Sequence, residues 1–153
     1  FYRHIPKKYN KYFDAVLLNH VLPHAESSAD LLSEAGRILG PGGLVYLALP
    51  NRWFPVEPIY RIPLIHWLPA ALFNRMARIC FPKRYEPVRH FSTREVNRLV
   101  VQHGFSGELI AGAILRHPEM QKLFGLNRIT GWVAGRFGFF LPTQIWILRK
   151  GPL

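Results

Sequence analysis

Few residues of this chain have the types and the spacing that chemistry requires, and they follow two apolar segments. His20 and His24 come after the first segment, whereas Glu57 and Tyr60 come after the second. The two histidines flank a turn at Pro23, with no carboxylate or thiol placed to complete a metal site, so we predict none. Glu57 and Tyr60 could supply a base or hydrogen bonds, and the alternative for Glu57 is a solvated loop charge.

The first apolar segment begins a strand–helix–strand pattern over residues 13–50. Ala15 to Leu18 form an almost unbroken apolar run, which is typical of a strand in a parallel sheet. Ser27 or Ser28 can cap the helix that follows. The helix carries one apolar stripe, formed by Leu31, Leu32, Ala35, Ile38 and Leu39.

Glycines and a proline separate this helix from the second apolar segment. We expect Gly40 to end the helix in the left-handed conformation, Pro41 to prevent its continuation, and Gly42 and Gly43 to turn the chain. A strand is then predicted over residues 44–49. The two strands should be adjacent and parallel, joined by a right-handed crossover.

The rest of the chain alternates between irregular and regular patterns. Residues 51–90 hold six prolines among aromatic and basic residues, which predicts a cap insertion with one short helix at 70–80. Ser92 and Glu95 have capping-box spacing and Gly104 ends that helix, after which a strand is predicted over 105–115. A second insertion at 116–142 and a last strand at 143–150 complete a single α/β domain over residues 1–153.

The charge and the cysteine content of the chain indicate which surfaces it could bind and in which compartment it could occur. The chain has 153 residues and a formal net charge of +11, and the excess of Lys and Arg lies after residue 50. The later segments could therefore favour an anionic surface. One cysteine, Cys80, excludes an internal disulfide, which favours a reducing, cytoplasmic compartment. The chain begins with Phe1 instead of Met, from which we expect either excision from something longer or an incomplete reading frame.

Four stretches together resemble a known family. They are FDAVLLNHVLPH, RILGPGG, a strand that ends in LPN, and HFSTREVNRLVVQHGF. This combination is similar to the carboxyl-terminal half of class I S-adenosylmethionine-dependent methyltransferases of the small-molecule, type 11-like group. The resemblance implies a partial Rossmann-like sheet of parallel strands with a carboxyl-terminal antiparallel hairpin strand.

The resemblance also implies a cofactor, S-adenosylmethionine, and where this chain would touch it. In the family, the loop after the FDxV strand lies against the methionine and sulfonium end, which corresponds here to Asn19, His20 and Val21. The Gly-rich turn and the acid that binds the ribose hydroxyls are expected upstream of Phe13, so this chain alone should bind cofactor poorly. Pro23 and His24 stand where the family often has Glu and His, which removes a carboxylate.

Substrate contacts are expected from the insertions, because methyl transfer needs positioning more than a dedicated nucleophile. The candidates are His24, Asn51, Arg52, Trp53, Glu57 and Tyr60. Trp53, Phe54 and Trp67 could wall a small or lipid-like methyl acceptor, or they could be the core of the cap. The loop NHVL lacks the Asn/Asp-Pro-Pro-aromatic motif of many amino-group methylases, which argues against an acceptor of that kind.

A second hypothesis concerns the basic and aromatic segments. Residues 62–73 and 132–140 could lie at an anionic membrane surface as part of a non-catalytic module. RNA binding by arginines and stacking rings is a third and weaker hypothesis, since no RNA-reading motif is present. No DNA partner is expected.

Overall fold

The computed structural model describes residues 5–56, 63–64, 67–80, 89–123 and 125–151. Its centre is a four-stranded sheet in the order β1-β2-β4-β3. The strands are β1 (Phe13–Asn19), β2 (Leu39–Pro50), β3 (Phe105–Leu109) and β4 (Thr143–Lys150). β1 and β2 are parallel, and β4 is antiparallel to both of its neighbours. The predicted α/β fold, with a parallel pair and a terminal antiparallel strand, is therefore confirmed.

Six α-helices accompany the sheet within the described residues. They are α1 (Ser28–Ile38), α2 (Ala70–Cys80), α3 (Thr93–Gln102), α4 (Ala111–Arg116), α5 (Pro118–Leu123) and α6 (Arg128–Arg136). Ser27 caps α1, because its hydroxyl accepts a hydrogen bond from the N–H of Asp30 at 3.1 Å. Ser92 and Glu95 form the predicted capping box at the start of α3. Both helix starts therefore follow from local sequence.

One face of the sheet holds the hydrophobic core. A row of paired residues on this face runs through Leu18, Leu47 and Trp146, all of them buried. The helices α1 and α3 contribute apolar side chains to the same core cluster, namely Leu31, Leu32, Ala35, Val96 and Val100. Both helices therefore cover the same face, as their apolar stripes require.

The opposite face of the sheet is more open. The equivalent row there runs through Leu17, Tyr46 and Ile147, and Leu17 is 70% exposed. Within the described part of the chain, β1 pairs only with β2, so its other edge carries no strand. This exposure is unusual for β1, because strands with a nearly continuous apolar sequence are normally buried on both faces. An unpaired strand edge can also form hydrogen bonds with another strand.

The junction between α1 and β2 differs from the prediction. The helix ends at Ile38, Leu39 is already extended, and Gly42, not Gly40, has a positive φ of 73°. The N–H groups of Lys11 and Tyr12 donate to the carbonyls of Arg37 and Ile38 at 3.0 and 2.9 Å. The preceding segment thus satisfies carbonyls that a left-handed cap would otherwise satisfy, and no glycine cap is needed.

The strand predicted over residues 105–115 is also too long. β3 ends at Leu109, and α4 begins at Ala111. Gly112 of α4 packs so closely on α6 that a Cβ on Gly135 would lie 2.7 Å from the Gly112 carbonyl oxygen. Tertiary packing between glycines therefore overrides the weak alternation of the sequence, as it often does for short segments. The helix predicted at residues 70–80 is confirmed as α2.

Candidate functional site

The loop at the carboxyl end of β1 holds the three residues predicted to contact the cofactor. Asn19 pairs with Ala48 of β2, and the N–H of His20 donates to the Ala48 carbonyl at 2.8 Å. His20 has a φ of 55°, a left-handed conformation that non-glycine residues seldom adopt. The chain therefore turns sharply at His20 and leaves Asn19, His20 and Val21 exposed. Backbone strain of this kind is frequent at functional sites.

Buried residues fix this loop from below. Leu22 is fully buried, Pro23 is buried, and the hydroxyl of Ser28 donates to the Leu22 carbonyl at 3.5 Å. The N–H of His24 donates to the Val21 carbonyl at 3.0 Å and closes a single turn. His24 itself is exposed. The loop is thus anchored through apolar side chains and presents its polar ones to solvent.

The exit from β2 is organised by Asn51, which is 1% exposed. Its Nδ2 donates to the Leu141 carbonyl at 2.8 Å, and its Oδ1 accepts from the N–H of Trp53 at 3.0 Å. The Asn51 side chain therefore holds the start of the cap segment against the turn that leads into β4. This is a structural role, and the substrate contact predicted for Asn51 stays a prediction.

A second buried amide lies next to this exit. Gln144 of β4 is fully buried, and its Nε2 donates to the Phe91 carbonyl at 2.8 Å. Its Oε1 accepts from Trp146 Nε1 at 3.2 Å. The Phe91 carbonyl also accepts from the N–H of Arg52 at 3.2 Å. Gln144 and Phe91 therefore join β4, the exit of β2 and the start of α3.

Charges gather around the capping box of α3. Partial burial raises the pKa of the Glu95 carboxyl, but two hydrogen bonds from Ser92 and the charges of Arg52 and Arg89 outweigh this effect. The net result is a pKa below the ordinary value. Both Ser92 bonds to Glu95 Oε2 are 2.7 Å long. Arg52 thus lies in the field of an ionised carboxylate that also caps a helix.

The aromatic residues after Asn51 are only partly buried. Trp53 and Trp67 are 45% and 47% exposed, and their rings meet edge to face with centroids 6.4 Å apart. Glu57 and Tyr60, also predicted to contact substrate, lie outside the described residues. The two tryptophans therefore form a half-exposed apolar pair instead of a closed core.

The structure brings several predicted residues to one edge of the sheet. Asn19 pairs with Ala48, three residues before Asn51, so the loop after β1 and the exit of β2 are neighbours. The N–H of Arg89 donates to the Pro23 carbonyl at 3.5 Å, which adds the segment before α3. Ligands of open α/β sheets bind at such carboxyl edges.

Sequence reasoning did not select Gln144 or Arg89. The signal for Gln144 was its position, because it is a polar residue within an otherwise apolar buried strand and must find hydrogen-bond partners. Arg89 gave no comparable signal, since it lies in an irregular stretch whose position depends on the fold.

The other features of the described residues do not form a comparable candidate site. No group of three or more His, Cys, Asp or Glu residues within the described ranges could hold a metal. A cavity of about 260 Å³ lies at the other end of β2, lined in part by Lys11, Gly40 and Lys150. None of the described helices is long and apolar enough to cross a membrane.

Comparison with known proteins decides the family. The sequence pattern of a family described as a methyltransferase domain matches residues 1–109. This chain belongs to that methyltransferase family. No curated protein sequence matches the chain significantly. The matched residues include β1, α1, β2, α3 and β3, and so contain the loop after β1 and the exit of β2.

Solved structures show the same fold for this methyltransferase domain. An S-adenosylmethionine-dependent methyltransferase from Mesorhizobium loti is 14% identical, with a TM-score of 0.56, and the match covers 97% of this chain and 65% of that one. The YcgJ protein from Bacillus subtilis is 13% identical, with a TM-score of 0.51, over 94% and 66% of the two chains. PKMT2 from Rickettsia typhi is 10% identical, with a TM-score of 0.55, over 95% and 36%. The domain therefore spans two thirds or less of these proteins.

The Mesorhizobium loti protein is described as S-adenosylmethionine-dependent, and the described residues of this chain include groups that suit one part of that cofactor. The carboxyl end of β1 offers the exposed Asn19 amide and, at His20, an exposed residue with its backbone in the left-handed conformation. Amides and backbone groups suit the amino-acid portion of such a ligand, which carries both an ammonium and a carboxylate. The domain thus has donors and acceptors where the resemblance implies the methionine end.

Proposed function

We propose that the protein containing this domain transfers a methyl group from S-adenosylmethionine to a small or lipid-like acceptor. The carbon–sulfur bond of the sulfonium breaks, a bond from the methyl carbon to the acceptor forms, and S-adenosylhomocysteine leaves. When the acceptor must lose a proton, that proton passes to a base or to water. The observation that carries the proposal is the exposed Asn19–Val21 loop at the carboxyl edge of a parallel pair, in a chain of the methyltransferase family.

In this proposal the loop after β1 positions the cofactor. The left-handed conformation of His20 and its hydrogen bond to Ala48 fix the direction of the loop backbone. Burial of Leu22 and Pro23 keeps the loop from moving. A fixed loop supports a reaction in which most of the acceleration comes from positioning and from exclusion of water.

The acceptor side is assigned to the cap segment. Trp53 and Trp67 present a half-exposed apolar pair beside the exit of β2, which suits an apolar acceptor. His24 and Arg52 add polar groups near the same edge. Glu57 and Tyr60 remain candidates for a base or for hydrogen bonds. We further propose a cytoplasmic location, on the basis of the single cysteine.

We also propose that this chain is the carboxyl-terminal part of the catalytic domain. Two observations support this: the chain spans 65% of the Mesorhizobium loti enzyme, and β1 has an apolar face with Leu17 70% exposed. A preceding segment would pair with the edge of β1 and supply the Gly-rich turn and the ribose-binding acid that the resemblance implies.

The test compares two proteins: residues 1–153 alone, and the same residues with the coding sequence that precedes them. Isothermal titration with S-adenosylhomocysteine should detect binding to the longer protein and little or none to the short one. Transfer of a radiolabelled methyl group should then be followed into the organic phase of a cell extract. Asn19→Ala should weaken binding, whereas Ser33→Ala, on the exposed side of α1, serves as the matched control. Failure of the longer protein to bind would overturn the proposal.

A further inference from the structure

The orientation of α6 is the reverse of what its apolar content would lead one to expect. Its inner side consists of Gly131 and Gly135, both buried. Ile129, Trp132 and Val133 point outward and are 75%, 60% and 43% exposed. In a surface helix the large apolar side chains normally face the core. Here they face solvent.

Close backbone packing fixes this orientation. A Cβ on Gly135 would lie 2.7 Å from the Gly112 carbonyl of α4, so no larger residue fits. Gly138, just beyond the helix, makes a similar approach to Gly112. The helix therefore cannot rotate to bury its large side chains without losing this contact. Its apolar stripe continues to Phe137, which is 53% exposed.

A basic residue stands at each end of this stripe, and the nearest acidic residue in the sequence is Glu119 of α5, which lies 3.9 Å from Lys122. Arg128 and Arg136 stand at the two ends of α6, and both are exposed. Residues 120–153 contain five Lys or Arg and no Asp or Glu. We define the α6 outer face as Ile129, Trp132, Val133 and Phe137 with these two arginines. Aliphatic and aromatic side chains on one stripe with cations beside them are typical of helices that lie in a membrane interface.

We propose that the α6 outer face binds the surface of a bilayer that contains anionic lipid. The apolar side chains enter the boundary between headgroups and acyl chains, and Arg128 and Arg136 contact phosphate groups. This proposal does not depend on methyl transfer, because lipid binding is measured without cofactor or acceptor. It gives the methyltransferase a direct route to a lipid-like substrate.

Two other occupants are less compatible with the observations. A second copy of the chain would bring the arginines of two α6 helices together, and a helix of nine residues is only about 14 Å long. A stable protein interface buries about 800 Å² on each partner, which this face alone cannot supply. An RNA would use the arginines and Trp132, but Ile129 and Val133 offer nothing to stacked bases.

Vesicle flotation tests the proposal directly. A protein of residues 1–153 should float at low salt with vesicles of equimolar phosphatidylcholine and phosphatidylglycerol, and it should bind much less to vesicles of phosphatidylcholine alone. Arg128→Gln with Arg136→Gln should weaken binding about 30-fold, from the usual contribution of a basic residue near an anionic surface. The matched control is Arg94→Gln with Arg98→Gln, which removes the same charge from the exposed side of α3.

The apolar part of the face has its own test. Ile129→Glu should abolish flotation, whereas Val101→Glu, at a 59% exposed position of α3, should not. Both variants should keep the wild-type circular dichroism spectrum and melting temperature. Quenching by brominated lipid should largely disappear in Trp132→Phe and persist in Trp53→Phe.

Several outcomes would overturn the proposal. One is flotation of Ile129→Glu equal to that of Val101→Glu. Another is a lowered melting temperature in Ile129→Glu, which would mean that the face is covered by the chain itself. A third is dissociation of a dimer, or loss of RNA binding, in Ile129→Glu without any change in flotation.

Discussion

Asn51 is the residue for which an experiment can best distinguish a structural role from a substrate-binding role. In Asn51→Ala two hydrogen bonds disappear, one to the Leu141 carbonyl and one from the Trp53 N–H. Each such bond contributes about 1 kcal/mol net, and a buried partner left unsatisfied costs about 1–3 kcal/mol more. Leu141 and Trp53 are partly exposed, so water can replace part of what is lost. We therefore expect about 2 kcal/mol of destabilisation.

Urea unfolding measures this loss as a lower midpoint at unchanged slope. For a chain of this size, about 2 kcal/mol corresponds to a fall of roughly 4–8 °C in melting temperature. Asn97→Ala, at an exposed position of α3, should stay within about 0.5 kcal/mol of wild type. If Asn51→Ala is as stable as this control, the structural reasoning is wrong. In that case a raised KM in the longer protein would identify Asn51 as a substrate contact.

Three further predictions concern other parts of the domain. The hydrogen bond from Arg37 lowers the pKa of Glu34, despite the opposing effect of burial. The resulting stabilisation is present above the unfolded pKa of 4.5 and is lost as the pH falls through the lower folded pKa. Glu34→Gln should therefore have a lower free energy of unfolding at neutral pH and a smaller loss of that free energy on acidification, whereas the exposed Glu26→Gln should behave like wild type. His20→Gly should keep the cofactor affinity of the longer protein, since glycine adopts positive φ readily. His20→Val should be about 1 kcal/mol less stable and should bind the cofactor more weakly by titration. Equal affinity and stability of the two variants would refute the role of the loop backbone. Leu17→Lys should change the free energy of unfolding of residues 1–153 by less than about 0.5 kcal/mol, because Leu17 is 70% exposed there. The same substitution should clearly destabilise the longer protein, where a preceding segment would cover Leu17. An equal effect in the short and the longer protein would argue against such a segment.

The features that the sequence predicted well are those set by local chemistry. The capping box of α3, the N-cap of α1 and the amphipathic helices follow from residues within a few positions of each other, and Ser92 with Glu95 is the clearest case. The parallel pair follows from the length of the crossover and from its apolar strands. These signals need no knowledge of distant parts of the chain.

The features that the sequence missed depend on distant contacts. Gly40 was expected to cap α1, but Lys11 and Tyr12 satisfy the helix carbonyls instead, and those residues are more than 20 positions away. The end of β3 depends on Gly112 meeting α6. At the candidate site, Asn51 was selected for its position after a strand, yet its side chain donates to the Leu141 carbonyl, which is 90 positions away in the sequence. Periodicity carries no information on such pairings.

Two of the exposed apolar surfaces of this domain call for different partners, and their surroundings distinguish them. The row through Leu17 and Tyr46 lies on a sheet whose β1 edge is unpaired within the described residues, and such an edge presents N–H and C=O groups that another strand can pair with. The α6 outer face has no free backbone edge to pair, because a helix satisfies its own backbone, and it has cations at both ends. A protein segment therefore suits the first surface and a lipid surface suits the second. If both assignments hold, covering β1 in the longer protein should leave vesicle binding through α6 unchanged, and flotation of the two proteins side by side would decide this.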